Sequence, residues 1–183
     1  MSAAADRELI AASVREPERF RPVFDRHFDA VRRYAVLRVG IDAAEDVTAE
    51  TFAVALRRRH AYRPLTATAL PWLLGIATRV AQQQKRGDRR LVRALERVGP
   101  EAAFDDEDTR FDRLDAQALS PRLRGALASL RVADRDIVLL VVVAGLSYEE
   151  AASALGIPVG TVRSRLSRAR TRLAAHFPER SPT

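Results

Sequence analysis

The sequence contains no cysteine, and its longest run of apolar residues, 137–144, is short. Without cysteine there is no disulfide and no thiolate metal site, which suits a reducing compartment. The apolar run falls far below the roughly 20 residues that a membrane-spanning helix needs. We therefore expect a cytoplasmic protein that does not insert into a membrane.

Residues typical of catalysis or metal binding are equally sparse. The three histidines, His27, His60 and His176, lack the spacing of metal ligands, and each is expected on the surface or at a helix end. No glycine-rich phosphate loop and no set of nucleophile, base and acid is found. The sequence predicts no enzymatic activity, no cofactor and no metal ion.

Arginine is what the sequence has in excess. The 31 basic residues, all arginine except Lys85, outnumber 24 acidic ones and give a net charge of +7. A guanidinium group pairs well with phosphate and with guanine, so the charge favours a polyanion as partner. An ordinary Arg-rich surface has the same composition, and the charge alone does not separate the two interpretations.

Helical periodicity runs through almost the whole chain, and no stretch alternates as a half-buried strand does. The predicted fold is all-α. We expect two small helical domains at 1–88 and 119–177, a flexible acidic linker at 89–118 and a tail at 178–183. The linker assignment rests on Gly99-Pro100 and the acidic segment 101–112. A solvated loop within a single domain is the alternative.

The first domain is predicted to contain helices at about 17–39, 42–59 and 70–86, with a short helix before Pro17. Gly40 is expected to end the first long helix. Asp42 and Glu45 are expected to form a capping box for the next one, because their side chains can reach free backbone N–H groups.

The second long helix is predicted to have an apolar inner face, with Val47, Phe52 and Leu56, and an acidic outer stripe. The stripe consists of Asp42, Glu45, Asp46 and Glu50. Acidic residues at four-residue steps can bind a metal ion, but a solvated helix face is far commoner. We therefore interpret the stripe as solvent-exposed.

Basic residues alternate with aromatic ones after this helix. The loop contains Arg57, Arg58, Arg59, His60, Tyr62 and Arg63, and the next helix ends in Arg79, Gln82, Gln83, Gln84, Lys85 and Arg86. Such a mixture suits single-stranded nucleic acid, since cations follow phosphates while rings and amides engage unstacked bases. Tyr62 and Trp72 are alternatively core residues, and for Trp72 the core is favoured because apolar residues follow it at helical spacing.

The most informative passage is LSYEEAASALGIPVGTVRSRLSRAR, residues 146–170. Ser147 and Glu150 match a capping box, Gly156 supplies a turn, and Pro158 begins the next helix. Two helices across a tight glycine turn form a helix-turn-helix. Two further helices are predicted before it, one from Ser120-Pro121 and one over 134–144.

The second helix of this motif is predicted to be amphipathic. Its buried stripe consists of Val162, Leu166, Ala169 and Leu173. Its opposite face carries Ser164, Ser167, Arg168 and Thr171, flanked by Arg163, Arg165, Arg170 and Arg172. These donors suit a major groove and its phosphates, and the capped helix and glycine turn favour DNA binding over an ordinary Arg-rich helix.

Two separated signatures resemble the sigma-70 family, specifically its extracytoplasmic-function subgroup. AAEDVTAETFAVAL at 43–56 and PWLLGIATRVAQQQKR at 71–86 resemble the region that docks on RNA polymerase and opens the minus-10 element. GTVRSRL at 160–166 resembles the part that reads the minus-35 element. The order of the two signatures and the gap between them make the resemblance specific.

The resemblance implies a promoter-specificity subunit of RNA polymerase without catalysis of its own. Polymerase binding would fall to Asp42, Glu45, Asp46, Glu50 and Phe52. Minus-10 contacts, including capture of a flipped base by the 57–70 loop, would involve Arg59, His60, Tyr62, Arg63, Arg79, Gln83, Lys85 and Arg86. Minus-35 bases would meet Arg163, Ser164 and Ser167, with Thr161, Arg165 and Arg168 on phosphates. The linker would run through the active-site and RNA-exit channels of the polymerase.

Two positions depart from the family pattern. Ala49 stands where a glutamine usually precedes Glu-Thr-Phe, and Arg79 stands where an asparagine is usual, at a position that engages promoter DNA. An anti-sigma protein commonly restrains such factors and would be a further partner. A stand-alone helix-turn-helix regulator, whose first domain serves dimerisation or signal sensing, is the alternative function.

Overall fold

The structure is a computed structural model that describes residues 4–64, 68–96 and 121–177. The described helices are α1 Ala4–Ser13, α2 Arg21–Val39, α3 Ile41–Arg58, α4 Leu70–Glu96, α5 Pro121–Ala128, α6 Val132–Val138, α7 Tyr148–Leu155 and α8 Val159–His176. Short 3₁₀ turns lie at Pro17–Phe20 and Arg59–Ala61. The described ranges contain no strand, and the prediction of an all-α fold is confirmed.

Helices α2, α3 and α4 form the core of the N-terminal half. Val47 of α3 is fully buried, and Phe52 of the same helix is 5% exposed, as predicted. The Phe52 ring packs against Phe24 and Phe28 of α2 at centroid distances of 4.6 and 6.4 Å. Burial of side chains of this size contributes about 1.5–3 kcal/mol each, so this face fixes α3 against α2.

The junction of α2 and α3 differs from the prediction in its cap. Gly40 ends α2, as expected, with a φ of 88° that an L side chain rarely adopts. The predicted capping box of Asp42 and Glu45 is wrong, because α3 already begins at Ile41 and no side chain caps it. Asp42 lies inside the first turn, where its charge still interacts favourably with the helix dipole.

Helix α4 is longer than predicted and continues past Arg86 to Glu96. Gly87 does not end it, since one glycine costs a helix only about 1 kcal/mol relative to alanine and strong helix formers lie on both sides. The helix therefore enters the segment that was predicted as a linker. Gly99-Pro100 and the acidic segment 101–112 lie outside the described residues.

Helices α5 to α8 form the C-terminal half, with the helix-turn-helix in α7 and α8. The predicted capping box is confirmed: the Glu150 N–H donates to Ser147 Oγ at 3.1 Å, and the Ser147 N–H donates to the Glu150 carboxylate at 2.9 Å. Gly156 takes the left-handed conformation that the turn requires. Pro158 is the N-cap of α8, so the helix begins at Val159, one residue later than predicted.

Helix α6 begins at Val132, earlier than predicted, and continues into a π-helical turn at Leu139–Val143. At the end of this turn the Ala144 N–H donates to the carbonyl of Leu139, and the Leu146 N–H donates to the carbonyl of Leu140. Gly145, between them, has a φ of 71°. Each π-helical turn rotates the chain differently from an α-helix. The result is that Leu139 and Leu140 are buried while Val142 is 64% exposed.

The two halves touch each other. Helix α7 lies along α4, and α2 contacts the π-helical turn that follows α6. Arg135 of α6 is buried within the C-terminal half itself, where its guanidinium donates to the carbonyls of Leu127 and Ala128 at the end of α5. Helix ends leave such carbonyls without intrahelical partners, so Arg135 joins α5 to α6.

Helix α1 is fastened to the N-terminal half by the carboxylate of Asp6, which is buried. Asp6 pairs with Arg26 and accepts hydrogen bonds from Thr68 Oγ1 at 3.0 Å and from the Ala69 N–H at 2.9 Å. Oδ2, the oxygen that accepts from Thr68 and Ala69, also lies 2.8 Å from Nε2 of His27, whereas Oδ1 pairs with Arg26. The expectation of a surface or helix-end His27 is therefore wrong, because this histidine is buried as a partner of Asp6. His176 does lie at a helix end.

Replacing Asp6 with alanine is expected to lower the free energy of unfolding by about 2–3 kcal/mol at pH 7, because buried donors lose a charged acceptor. Burial alone would raise the pKa of Asp6, but hydrogen bonds from Ala69, His27 and Thr68 hold it below 3.8. The stabilisation is therefore present above about pH 4 and is lost as the pH falls through the native pKa.

Urea denaturation of the wild type and Asp6→Ala at pH 7 and pH 3 measures this effect. Glu8→Ala, at an exposed position of the same helix, is the control and is expected to change stability by less than about 0.5 kcal/mol. Equal destabilisation by Asp6→Ala and Glu8→Ala at pH 7 would show that the Asp6 network does not anchor α1.

Candidate nucleic-acid interface

Helix α8 has one buried and one exposed face, as predicted. Val162, Leu166 and Ala169 are buried, and Leu173 is half-buried. The exposed residues are Arg163, Ser164, Ser167, Arg168, Arg170, Thr171 and Arg172, and Thr161 and Arg165 are half-buried. The outer face is therefore a surface of guanidinium and hydroxyl donors, the groups that bind phosphates and base edges.

Two arginines of this face are also tied to the rest of the C-terminal half. Arg168 Nη2 lies 3.3 Å from the carboxylate of Asp134, a buried residue of α6. Arg172 Nη1 donates to the carbonyl of Ser129 at 2.8 Å. Asp134 therefore orients Arg168 and offsets part of its charge, although more than half of the Arg168 side chain stays exposed.

The basic loop after α3 divides into exposed and structural residues. His60 and Arg63 are exposed. Arg59 is half-buried, and its guanidinium donates to the carbonyls of Ser13, at 2.8 Å, and Leu56. Part of the hydrogen-bonding capacity of Arg59 is thus used to hold α1 against the end of α3.

Tyr62 and Trp72 pack against each other with their ring centroids 4.8 Å apart, and both are half-buried. Both rings contact the hydrophobic core, which bears out the preference for Trp72 as a core residue. Burial, with a smaller effect of the Asp6 charge, raises the pKa of Tyr62. Its hydroxyl is therefore a hydrogen-bond donor throughout the physiological pH range.

Helix α4 carries the rest of the residues predicted to meet the minus-10 element. Arg79 and Gln83 are both exposed. Arg79 Nη2 donates to the carbonyl of Ala154 in α7, at 3.2 Å. The side chains of Lys85 and Arg86 lie outside those that the structure describes.

The acidic stripe of α3 is exposed as predicted, at Asp42, Glu45, Asp46 and Glu50. Glu50 is paired with Arg57 at 2.7 Å in a solvent-accessible ion pair, which contributes at most about 1 kcal/mol. Phe52, also predicted to bind polymerase, is 5% exposed and lies on the opposite, buried face.

Sequence reasoning missed a polar group between the two halves. Arg38 of α2 is fully buried against the carboxylate of Asp136 in α6, and Nε2 of Gln82 in α4 lies 3.4 Å from the second oxygen of that carboxylate. Burial raises the pKa of Asp136, and the charge of Arg38 opposes this effect. The available signal was spacing, because Arg38 extends the buried stripe of α2 formed by Val23, His27, Val31 and Tyr34.

The described part of the chain has neither a cluster of metal ligands nor a membrane-spanning helix. Its described histidine, aspartate and glutamate residues form no group of three or more that could hold a metal ion. None of the helices that the structure describes has the length and hydropathy needed to cross a membrane.

Comparison with known families matches both halves of the chain. Residues 23–100 match sigma-70 region 2, and residues 120–173 match sigma-70 region 4. The first match includes the acidic stripe, the basic loop and α4, and the second includes the helix-turn-helix. A stand-alone regulator with an unrelated first domain does not account for the first match.

Similar proteins cover most of the chain. The probable RNA polymerase sigma-C factor of Mycobacterium bovis is 35% identical over 149 residues, which are 79% of this chain and 76% of that protein. The ECF RNA polymerase sigma factor SigL of Mycobacterium tuberculosis is 31% identical over 160 residues, 85% of this chain and 86% of SigL. CarQ, an RNA polymerase sigma factor of Myxococcus xanthus, is 32% identical over 81% of this chain and 83% of CarQ.

Solved structures show the same fold. The sigma factor RpoE from Bartonella quintana, in complex with the anti-sigma factor NepR, aligns with a TM-score of 0.67 and 28% identity over 86% of this chain and 96% of RpoE. CnrH, in complex with the cytosolic domain of CnrY, aligns with a TM-score of 0.68 and 25% identity over 93% and 96%. The chain belongs to the extracytoplasmic-function sigma factors of the sigma-70 family, which bind core RNA polymerase and direct it to promoters.

Proposed function

We propose that this sigma factor uses three surfaces: α3 for core polymerase, the basic loop with α4 for the minus-10 element, and α8 for the minus-35 element. The observation that carries the proposal is that acidic and basic side chains are exposed on different helices. Acidic residues cover the outer face of α3, and arginines and hydroxyls cover the outer face of α8. The same chain can therefore bind a basic protein surface and a polyanion at different places.

At the minus-35 element, Arg163, Ser164 and Ser167 contact bases. Arg168 contacts phosphate, together with the half-buried Thr161 and Arg165. What supports this division is that all four side chains are exposed and that Arg168 is in addition oriented by Asp134. An oriented charge suits positioning on the phosphate backbone, while side chains near the start of the helix suit base edges.

At the minus-10 element, the exposed His60 and Arg63 and the polar tip of Tyr62 face the separated non-template strand. Tyr62 is fixed by its packing on Trp72, and a fixed ring lowers the entropy lost when a flipped base stacks on it. Arg59 acts mainly by holding α1 and α3 in place.

At the polymerase surface, Asp42, Glu45, Asp46 and Glu50 supply the charge. The buried Phe52 acts by fixing α3 on α2 through its contacts with Phe24 and Phe28. An exposed acidic stripe steers association with a basic partner surface and contributes to specificity.

The division into domains at 1–88 and 119–177, joined by residues 89–118 of which 89–96 are the end of α4, is part of the same proposal. So is the absence of catalysis by this chain, since chemistry belongs to the polymerase that it joins. The site of action is the cytoplasm, where bacterial polymerase and chromosome are found. The RpoE relative was solved with an anti-sigma factor, which supports an anti-sigma protein as a partner here as well.

Run-off transcription with core polymerase is the direct test of the function. The purified chain together with core polymerase is expected to produce transcripts from promoters of its own regulon, whereas core polymerase alone does not. A chain that binds duplex DNA tightly but never supports initiation would instead be a stand-alone regulator.

Reversing two charges of the stripe, Asp46→Lys with Glu50→Lys, is expected to abolish association with core polymerase, because like charges then face each other. Binding of the full chain to duplex DNA is expected to persist. Glu8→Lys with Asp29→Lys makes the same change in net charge at exposed positions of α1 and α2, and this control is expected to bind polymerase normally. A similar loss of polymerase binding in both double variants would show that net charge, and not the stripe, causes the effect.

Replacing Arg168 with alanine is expected to weaken binding to all duplexes and to reduce the slope of log affinity against log salt by about one unit, because one phosphate contact is lost. Arg163→Ala is expected to change the preference among duplexes that differ at single base pairs. Salt titrations by fluorescence anisotropy measure both effects, with Arg19→Ala, exposed in the N-terminal half, as the control. A change of base preference in Arg168→Ala would contradict the assigned roles.

A further inference from the structure

Helix α1 turns one buried face toward the two ends of the basic loop. The face consists of Asp6, Ile10 and Ser13, which are 2%, 1% and 0% exposed. Asp6 and Ser13 are seven positions apart, so they lie on the same side of the helix, about two turns or roughly 10 Å from each other. Ile10, between them, packs into the hydrophobic core. The face therefore has a polar group at each end and an apolar anchor in the middle.

The first polar group holds the end of α3, where the basic loop begins. Nε of Arg59 donates to the carbonyl of Ser13 at 2.8 Å. Ser13 is the last residue of α1, where carbonyls have no intrahelical partner, so this bond satisfies an open acceptor. The Tyr62 N–H in turn donates to the carbonyl of Arg59 at 3.2 Å. Tyr62 is thus connected to α1 through a single residue.

The second polar group holds the residues that lead into α4. Oδ2 of Asp6 accepts from Thr68 Oγ1 at 3.0 Å and from the Ala69 N–H at 2.9 Å. The carbonyl of Ala69 accepts from the Leu73 N–H at 3.0 Å, which makes Ala69 the residue from which the first turn of α4 is built. Trp72 belongs to that turn. Asp6 therefore fixes the position from which the Trp72 ring projects.

The two connections converge on the Tyr62–Trp72 pair. Its ring centroids are 4.8 Å apart, and one ring follows the first end of the loop while the other follows the second end. A movement of either end would therefore separate the rings. Asp6 and Ser13 are buried and cannot touch DNA themselves, so any effect of α1 on DNA must pass through this pair.

We propose that α1 is a positioning element for promoter opening: Asp6 and the Ser13 carbonyl hold both ends of the basic loop and thereby fix the Tyr62–Trp72 pair before a flipped base reaches it. This role rests on the proposed function of Tyr62 in base capture. Helix α1 precedes residue 23, where the match to sigma-70 region 2 begins. A surface that is ordered in advance loses less entropy when it binds its ligand.

Asp6→Asn is the first variant that tests this role. An amide has a single acceptor oxygen and its NH₂ group is a donor, so it cannot accept from all the donors that surround the Asp6 carboxylate. Val31→Ala truncates a fully buried residue of α2 and removes no hydrogen bond of either connection. It is the control for loss of stability without loss of positioning.

Thr68→Val and Thr68→Ser form a milder pair that keeps the test decisive if Asp6→Asn does not fold. Valine has the shape of threonine but cannot donate to Asp6. Serine keeps the hydroxyl, which also accepts from the Leu70 N–H at 3.3 Å. Thr68→Ser is therefore expected to behave as the wild type in both measurements that follow.

The sole tryptophan of the chain is Trp72, and its fluorescence reports on the pair directly. In the free full-length chain, Asp6→Asn and Thr68→Val are expected to shift the emission to longer wavelength and to increase quenching by acrylamide. Val31→Ala and Thr68→Ser are expected to keep the wild-type spectrum, with equal helix content by circular dichroism in all four. Wild-type quenching in a folded Asp6→Asn and a folded Thr68→Val overturns the proposal.

Promoter opening is measured with the holoenzyme on a promoter that supports run-off transcription, labelled with 2-aminopurine in the non-template strand of the minus-10 element. Asp6→Asn and Thr68→Val are expected to lower the equilibrium constant for opening about ten-fold, because a large side chain must then be ordered during capture. Their affinity for core polymerase is expected to stay unchanged.

An equal loss of opening in Val31→Ala would assign the effect to stability and overturn the positioning role, as would wild-type opening in both Asp6→Asn and Thr68→Val. Failure of the wild-type holoenzyme to open any promoter refutes the proposed function instead. The fluorescence of Trp72 in the free chain still decides, in that case, whether α1 fixes the pair.

Discussion

The close packing of α4 between the two halves is the constraint on which the rest of the structure depends. On one side α4 packs on α2 and α3, and on the other it meets α7. Gly75 permits backbone contact with Ala154 that no other residue would allow. The helix that completes the core of the first domain is thus also the surface on which the helix-turn-helix rests.

This arrangement leaves some charged surfaces exposed and buries other charged groups between the two halves. The acidic stripe of α3 and the donor-rich face of α8 point to solvent, while α4 is in close contact with α7 at Gly75. Arg79, one turn later, donates to Ala154 and stays exposed. Buried charges mark the boundary, where Arg38 is paired with Asp136.

Within each half, a buried charged residue holds a short helix in place. Asp6 gathers donors from α2 and from the start of α4 and so fixes the short α1. Arg135 does the same for the end of α5. Both are single ionised groups that satisfy several partners at once, and such groups are stable in the interior only when most of their hydrogen bonds are made.

Local pattern was enough to predict the helices, the capping box at Ser147, the turn at Gly156 and the two faces of α8, because each depends on residues within a few positions of one another. The local pattern did not predict helix ends correctly where neighbouring residues favour different ends. Asp42 matches a cap in sequence, yet Gly40 fixes the start of α3 one residue earlier, and Gly87 is overridden by the helix formers around it.

Contacts between distant segments were decided by tertiary structure alone. The sequence predicts an ordinary surface histidine at position 27, but α1 places Asp6 in contact with it. The sequence contains Arg38 and Asp136 98 positions apart, and nothing local pairs them. Spacing along one helix determines which side chains share a face, but only the docking of one helix on another determines which faces meet.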